Sequence, residues 1–253
     1  MTAPDGVLLR TERLTRSFGS LTAVNAVSLT VRKGELRSII GPNGAGKTTF
    51  FRLVSGEMEP SSGRVLFQER DITGLPQHRV CRLGIAKSYQ ITNIFPHLSV
   101  LENVRVAVQG YARSFNFWSR ADQIAGCRER AVEILAMVSL VRQAERPAAH
   151  LSHGEKRHLE IGIALASDPA LLLLDEPTAG MNNTETDSAM ELIRRVSKGK
   201  TLLMVEHDMK VVFDLADVIT VLVYGQVIAS GPPHAVRANA AVREAYLGAP
   251  VAA

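Results

Sequence analysis

Aromatic side chains are scarce in this chain, cysteine scarcer still, and no apolar run is long. Phe, Trp and Tyr make up 5% of 253 residues, with a single Trp. With 46% hydrophobic residues, the core must therefore be built mostly from Leu, Val, Ile and Ala. The two cysteines, Cys81 and Cys127, lie far apart and in no metal-ligand spacing. That excludes a disulfide framework and a cysteine zinc site, and fits two reduced thiols in a cytoplasmic protein. The longest apolar stretches are Ala170–Leu174 and Val218–Tyr224, the latter broken by Thr220. Neither approaches the ~20 residues that span a bilayer. The opening residues Met1 to Gly6 hold no basic segment followed by an apolar one, so no signal peptide is expected. Charge of one sign is also lacking: 29 basic against 25 acidic residues leave +4. This is too little for the basic stripe of a nucleic-acid binder, so no nucleic-acid partner is expected. It is compatible with work beside an anionic membrane surface.

What is present is a glycine-rich segment, Gly41-Pro42-Asn43-Gly44-Ala45-Gly46-Lys47-Thr48-Thr49. It fits G-x-x-x-x-G-K-[ST], the phosphate-binding loop. An apolar strand-like run, Leu36 to Ile40, precedes it, and a helix-like run, Thr48 to Ser55, follows. Glycines let successive backbone N–H groups turn inward around a polyphosphate, and the helix N-terminus adds partial positive charge. Lys47 is placed to reach the β- and γ-phosphates of a bound nucleotide, and Thr48 to offer its hydroxyl to Mg²⁺.

Residues Val7–Leu9 and Val27, Leu29 and Val31 alternate as strands do. Pro60–Gly63 reads as a turn and Arg64–Phe67 as a short strand. From about Ile91 to Ala166 apolar spacing becomes helical, as in Val100, Leu101, Val104 and Val108. Strands and helices alternate again after Asp168-Pro169. Strands are expected at Ala170–Leu174, Thr201–Val205 and Val218–Val223. Helices are expected at Thr186–Val196, Met209–Leu215 and Ala240–Tyr246. The expected fold is one α/β domain over 1–253. Its core is 1–90 plus 167–253, and a helical insertion occupies 91–166.

Leu171 to Leu174 lead into Asp175 and Glu176. A buried strand that delivers carboxylates at its C-terminal edge places them on the ligand face of an open α/β sheet. Asp175 would help hold Mg²⁺, and Glu176 would polarise an attacking water. Leu151-Ser152-His153-Gly154-Glu155 opens an amphipathic run, Lys156 to Ser167. Read alone it is an N-capped helix start with free N–H groups.

Together these elements resemble the ATP-binding subunits of ABC transporters, over nearly the whole chain. The resemblance implies a phosphate-loop NTPase core of the ABC-ATPase type, with an antiparallel β subdomain and a helical subdomain. It matches Leu151–Glu155 to the family's signature, so that Ser152, Gly154 and Glu155 would contact ATP held by a second subunit. It matches Phe18 to the aromatic that stacks on adenine, the alternative being a strand aromatic in the core. Gln90 matches the glutamine that binds Mg²⁺ and the attacking water. His207 matches the switch histidine, and Ala179–Asn182 the loop that crosses to the partner. His153, Glu155 and Asn182 depart from the usual Gly, Gln and Asp.

Ile94–Val100, Leu159–Gly162, Ala179–Asn182 and Glu244–Gly248 are similar to the branched-chain (hydrophobic) amino-acid and urea uptake group. That similarity implies an ATPase subunit of an importer, peripheral at the cytoplasmic face of the inner membrane. Its partners would be a second ATPase subunit, a related but different chain with a second copy of this one as the alternative, transmembrane permease subunits and, indirectly, a periplasmic solute-binding protein. A lipopolysaccharide-export-type subunit and a non-transport ABC ATPase are the alternatives. An aromatic cluster, Tyr111 to Arg120 with Phe115, Phe117 and Trp118, reads either as packing between helices or as a partner contact.

Overall fold

The alternating apolar residues at the start of the chain form two long strands, β1 (Val7–Phe18) and β2 (Leu21–Arg32). Next come β3 (Leu36–Ile40), α1 (Lys47–Val54), β4 (Ser62–Phe67), β5 (Arg70–Asp71), α2 (Gln77–Arg82) and β6 (Ile85–Ser88). A helical stretch holds α3 (Val100–Tyr111), α4 (Cys127–Met137) and α5 (His153–Leu165). The chain then alternates through β7 (Leu171–Asp175), α6 (Asn183–Ser197), β8 (Thr201–Val205), α7 (Met209–Leu215), β9 (Val218–Val223) and β10 (Gln226–Gly231). It closes on α8 (Pro233–Ala238) and α9 (Ala240–Leu247). This is a computed structural model, and it describes residues 6–88, 94–111 and 126–247. Among the described residues no helix is long and apolar enough to cross a membrane.

Two sheets organise these elements. One is antiparallel, in the order β2-β1-β4-β5; the other has six strands in the order β10-β9-β3-β8-β7-β6. In the second, β9, β3, β8, β7 and β6 run parallel and only β10 is antiparallel. Its central strands are five-residue runs buried throughout, as sheets covered on both faces require. Side chains alternate across the sheet. Leu172, Leu174, Leu202 and Met204 pack toward the helical side, with α3 to α7. Leu171, Leu173, Leu203 and Val205 pack the other way, against the antiparallel sheet and Phe50 and Phe51 of α1. Burying each such leucine is worth about 1.5–3 kcal/mol, so this seam is the strongest constraint on the fold.

The strands expected at 201–205 and 218–223 and the helix at 209–215 stand at those residues. Ser62, expected in a turn, opens β4. Three strands escape the sequence pattern: β5, only two exposed polar residues long, β6 and β10. In β6 the polar Lys87 is hidden by ion pairs with Glu57 at 3.0 Å and Asp175 at 3.8 Å. In β10 an edge position leaves every residue at least partly exposed, so the apolar signal is weak.

Candidate functional site

The phosphate loop leaves the C-terminal end of β3, between β9 and β8. Its shape depends on close backbone approach. Gly46 sits at φ 95, and a Cβ there would lie 2.0 Å from the Ala23 carbonyl oxygen. The loop is braced from outside: Asn25 N–H donates to Gly225 O at 2.8 Å, and Gly225 N–H to Ala45 O at 3.0 Å. Helix α1 starts without a side-chain cap and without an acidic residue in its first turn, so its N–H groups remain available to an anion. Lys47 is buried, and its Nζ donates to the carbonyls of Gly41 (2.7 Å) and Pro42 (3.0 Å). Burial pulls its pKa down, with Glu176 and Asp175 pulling the other way.

A cavity of about 360 Å³ opens beside the loop. It is lined by Phe18, Leu21, Ala23, Asn43, Gly44, Ala45, Gly46, Lys47, Thr48, Thr49, Glu176 and His207. Three adjacent parallel strands converge here: β3 supplies the loop, β7 ends in Asp175, and β8 leads to His207. His207 Nε2 lies 2.7 Å from Glu176 Oε1. Asp175 is buried; desolvation raises its pKa, while the Lys87 ammonium opposes that rise. Phe18 is 44% exposed with the Arg16 guanidinium 4.8 Å from its ring centre, which rules out the core-aromatic alternative.

Sequence reasoning passed over Glu206. It is buried, and its Oε1 accepts from Thr178 N–H (2.9 Å) and Thr178 Oγ1 (2.6 Å), while Oε2 accepts from His207 N–H (2.9 Å). It thereby locks the turn after Glu176 to the turn that carries His207. Its only signal in the chain is a carboxylate at the end of an apolar strand.

Ser152, Gly154 and Glu155 do not line this cavity. Ser152 caps α5 in a full capping box: its side chain accepts from Glu155 N–H, and the Glu155 carboxylate accepts from Ser152 N–H. Glu155 Oε1 also accepts from Gln143 Nε2 at 2.9 Å. His153 Nε2 lies 3.1 Å from Ala179 O, so the residue in place of the usual glycine ties α5 to the 179–182 loop. Gly154 N–H donates to Glu185 Oε1 at 3.3 Å. Asn182 keeps the helix-cap role open to Asp, accepting from Glu185 N–H at 3.0 Å. Gln90, Phe115, Phe117, Trp118 and Gly248 lie outside the described residues.

The residues fit a magnesium nucleotide. Bare N–H groups at α1 and the glycine-lined loop suit phosphates. The oxygen donors of exposed Thr48 and desolvated Asp175 suit a hard cation that keeps several waters.

Comparison with known proteins agrees with this geometry. The family model described as "ABC transporter" matches residues 24–179, and one described as "Branched-chain amino acid ATP-binding cassette transporter" matches 226–252. The chain is 38% identical over 251 residues to the high-affinity branched-chain amino acid transport ATP-binding protein LivG of Salmonella typhimurium, covering 95% of this chain and 98% of that protein. Against BraF of Pseudomonas aeruginosa, of the same description, identity is 37% over 250 residues, with 95% and 98% covered. Among solved structures, the ADP conformation of the ATP-binding cassette MJ1267 superposes with a TM-score of 0.86 at 31% identity, covering 96% of this chain and 99% of that one. A dimeric post-hydrolysis state of the cassette MJ0796, bound to ADP and Pi, gives 0.75 at 27% identity, with 89% and 99% covered.

Proposed function

The chain belongs to the ABC transporter family of ATP-binding proteins, and on that premise we propose that it powers an importer of branched-chain amino acids or a related small solute. It is an ATPase of that family. The observation that carries the catalytic reading is the Glu176–His207 pair, 2.7 Å apart, at the mouth of the phosphate-loop cavity. The cargo reading rests on the LivG and BraF relatives and on the C-terminal family match.

In this reading Phe18 stacks on adenine, and the amides of residues 41–49 cradle the phosphates. Lys47 exchanges its two loop carbonyls for phosphate oxygens. Thr48 and Asp175 would hold Mg²⁺, with Gln90 as a further ligand, and the ion when bound would supply charge neutralisation at the phosphate oxygens. Glu176 orients water for in-line attack on the γ-phosphorus and takes its proton, and ADP leaves. His207 steadies Glu176 and reaches the γ-phosphate. Ser152, Gly154 and Glu155, which do not line this cavity, serve the nucleotide of a second ATPase subunit, a related but different chain. Closure of that pair at the cytoplasmic face of the membrane drives the permease subunits between two access states, with a periplasmic binding protein delivering the solute.

Glu176→Gln tests this in the assembled transporter. Turnover should fall by about 10²–10⁴-fold, as for loss of a general base, while ATP stays bound and is retained through a desalting column. Wild-type turnover in this variant would overturn the assignment. For the cargo, ATPase stimulation by binding protein loaded with leucine is compared with stimulation by urea; a response to urea alone would move the solute class.

A further inference from the structure

Glu176 occupies a left-handed backbone conformation, φ 48, disfavoured for any residue with a side chain. Something must hold it there. Its N–H donates to Val205 O at 2.9 Å. Its carbonyl is held by Arg157, whose Nη2 donates to Glu176 O at 2.9 Å and to Asp175 O at 2.5 Å. Nε of the same guanidinium donates to Pro177 O at 3.3 Å. Three successive carbonyls around the proposed base thus converge on one side chain. Arg157 is 7% exposed, and its remaining arm, Nη1, donates to Glu160 Oε2 at 2.8 Å; Glu160 is equally buried. A planar guanidinium can span such a set of acceptors, whereas a single ammonium cannot.

Arg157 belongs to α5, the helix that Ser152 caps. At ~1.5 Å per residue it lies less than two turns from the signature end. We propose that Arg157 is a positioning residue for Glu176, and that α5 makes it a link between the two ATP sites of the dimer. The signature end of α5 reads the nucleotide of the partner subunit. The same rigid helix, through Arg157, fixes the backbone that aims the base of its own site. Glu160 accepts from Arg157 Nη1, which orients the guanidinium and locks it to the helix. This rests on the proposed dimeric site, and it adds that occupancy of one site sets the base in the other.

The test uses the assembled transporter. Arg157→Lys retains the buried charge against Glu160 but cannot span three carbonyls. It should fold, lower kcat at least tenfold and leave KM for ATP within twofold. Arg157→Gln should lower kcat further with nucleotide binding unchanged. Glu160→Gln, which keeps an acceptor for Arg157, should stay within threefold of wild type. Combined with Ser152→Ala, Arg157→Lys should add less than its separate effect, because both act through α5. A lowered melting temperature with kcat unchanged would make Arg157 a structural brace and overturn the proposal. So would strict additivity with Ser152→Ala. Glu176→Gln separates the two ideas: if that variant turns over normally, the catalytic assignment itself fails; if it is inert while Arg157→Lys is fully active, only the link fails.

Discussion

His207 and His158 show how one residue type serves two ends. His207 is 43% exposed at its side chain and touches the site, so His207→Ala should cut turnover by about 10²-fold. Its melting temperature should barely change, because an exposed substitution shifts stability by within about 0.5 kcal/mol. His158 is buried, and its Nδ1 lies 3.0 Å from Val138 O, where the neutral ring donates. Burial lowers its pKa from the usual 6.5, with Arg195 adding to the fall and Glu155 and the Val138 carbonyl resisting it. The unfolded chain therefore takes up the proton first as pH drops. Stability from this group is full above about pH 6.5 and declines below it. Thermal melts from pH 7.5 to 5.5 should fall more steeply for the native chain than for His158→Gln. At this scale the sequence singled out Asp175 and His207 from their places at or just after apolar strands. It passed over Glu206, which directly follows β8, and Arg157, because their hydrogen bonds exist only where β7, β8 and α5 pack together and bring distant backbone groups onto their side chains.

Helix α5 shows what a single element contributes. Its capping box ties Ser152 to Glu155, and losing such a cap costs about 1 kcal/mol. Ser152→Ala should lower the melting temperature of the isolated chain. Glu155→Gln should not, since glutamine serves the third position of the box equally well. Equal destabilisation of both variants in a chemical denaturation series would mean that charge, not geometry, makes the cap. The cap at Ser152 was legible in the sequence, but not the box: the N–H groups expected to be free there are taken up, that of Glu155 by Ser152 Oγ and that of Gly154 by Glu185 Oε1. The hydrogen bond from Gly154 to Glu185 was not legible either, because it depends on where the start of α6 lands in space. Deeply buried strands such as β8 were likewise readable as apolar runs. The edge strand β10 was not, since solvent takes the place of a second packing face.

At the scale of the whole molecule, the parallel sheet gathers the loop, Asp175, Glu176 and His207 at one edge, while the Ser152 end of α5 lies outside that cavity. A chain that holds two unlike halves of one site is expected to be monomeric without nucleotide. Light scattering of the Glu176→Gln chain with ATP, alone and mixed with a related ATPase subunit, should show association only in the mixture if the functional pair is the mixed one. Self-association as strong as the mixed pair would argue for two identical copies. The α/β class followed from the alternation of strands and helices, but not the pairing of β1 with β4, which joins strands some fifty residues apart. Finally, Lys47 has work to do before any nucleotide arrives. Its ammonium ties the consecutive carbonyls of Gly41 and Pro42, where the loop leaves β3, to the first turn of α1, across a bend that contains almost no side chains to hold it. Replacing Lys47 with alanine, the usual way to silence such a loop, therefore removes an internal strut as well as a counter-charge. Lost ATP binding in that variant would report a loosened cradle as much as a missing cation, and a methionine of similar length would loosen it too.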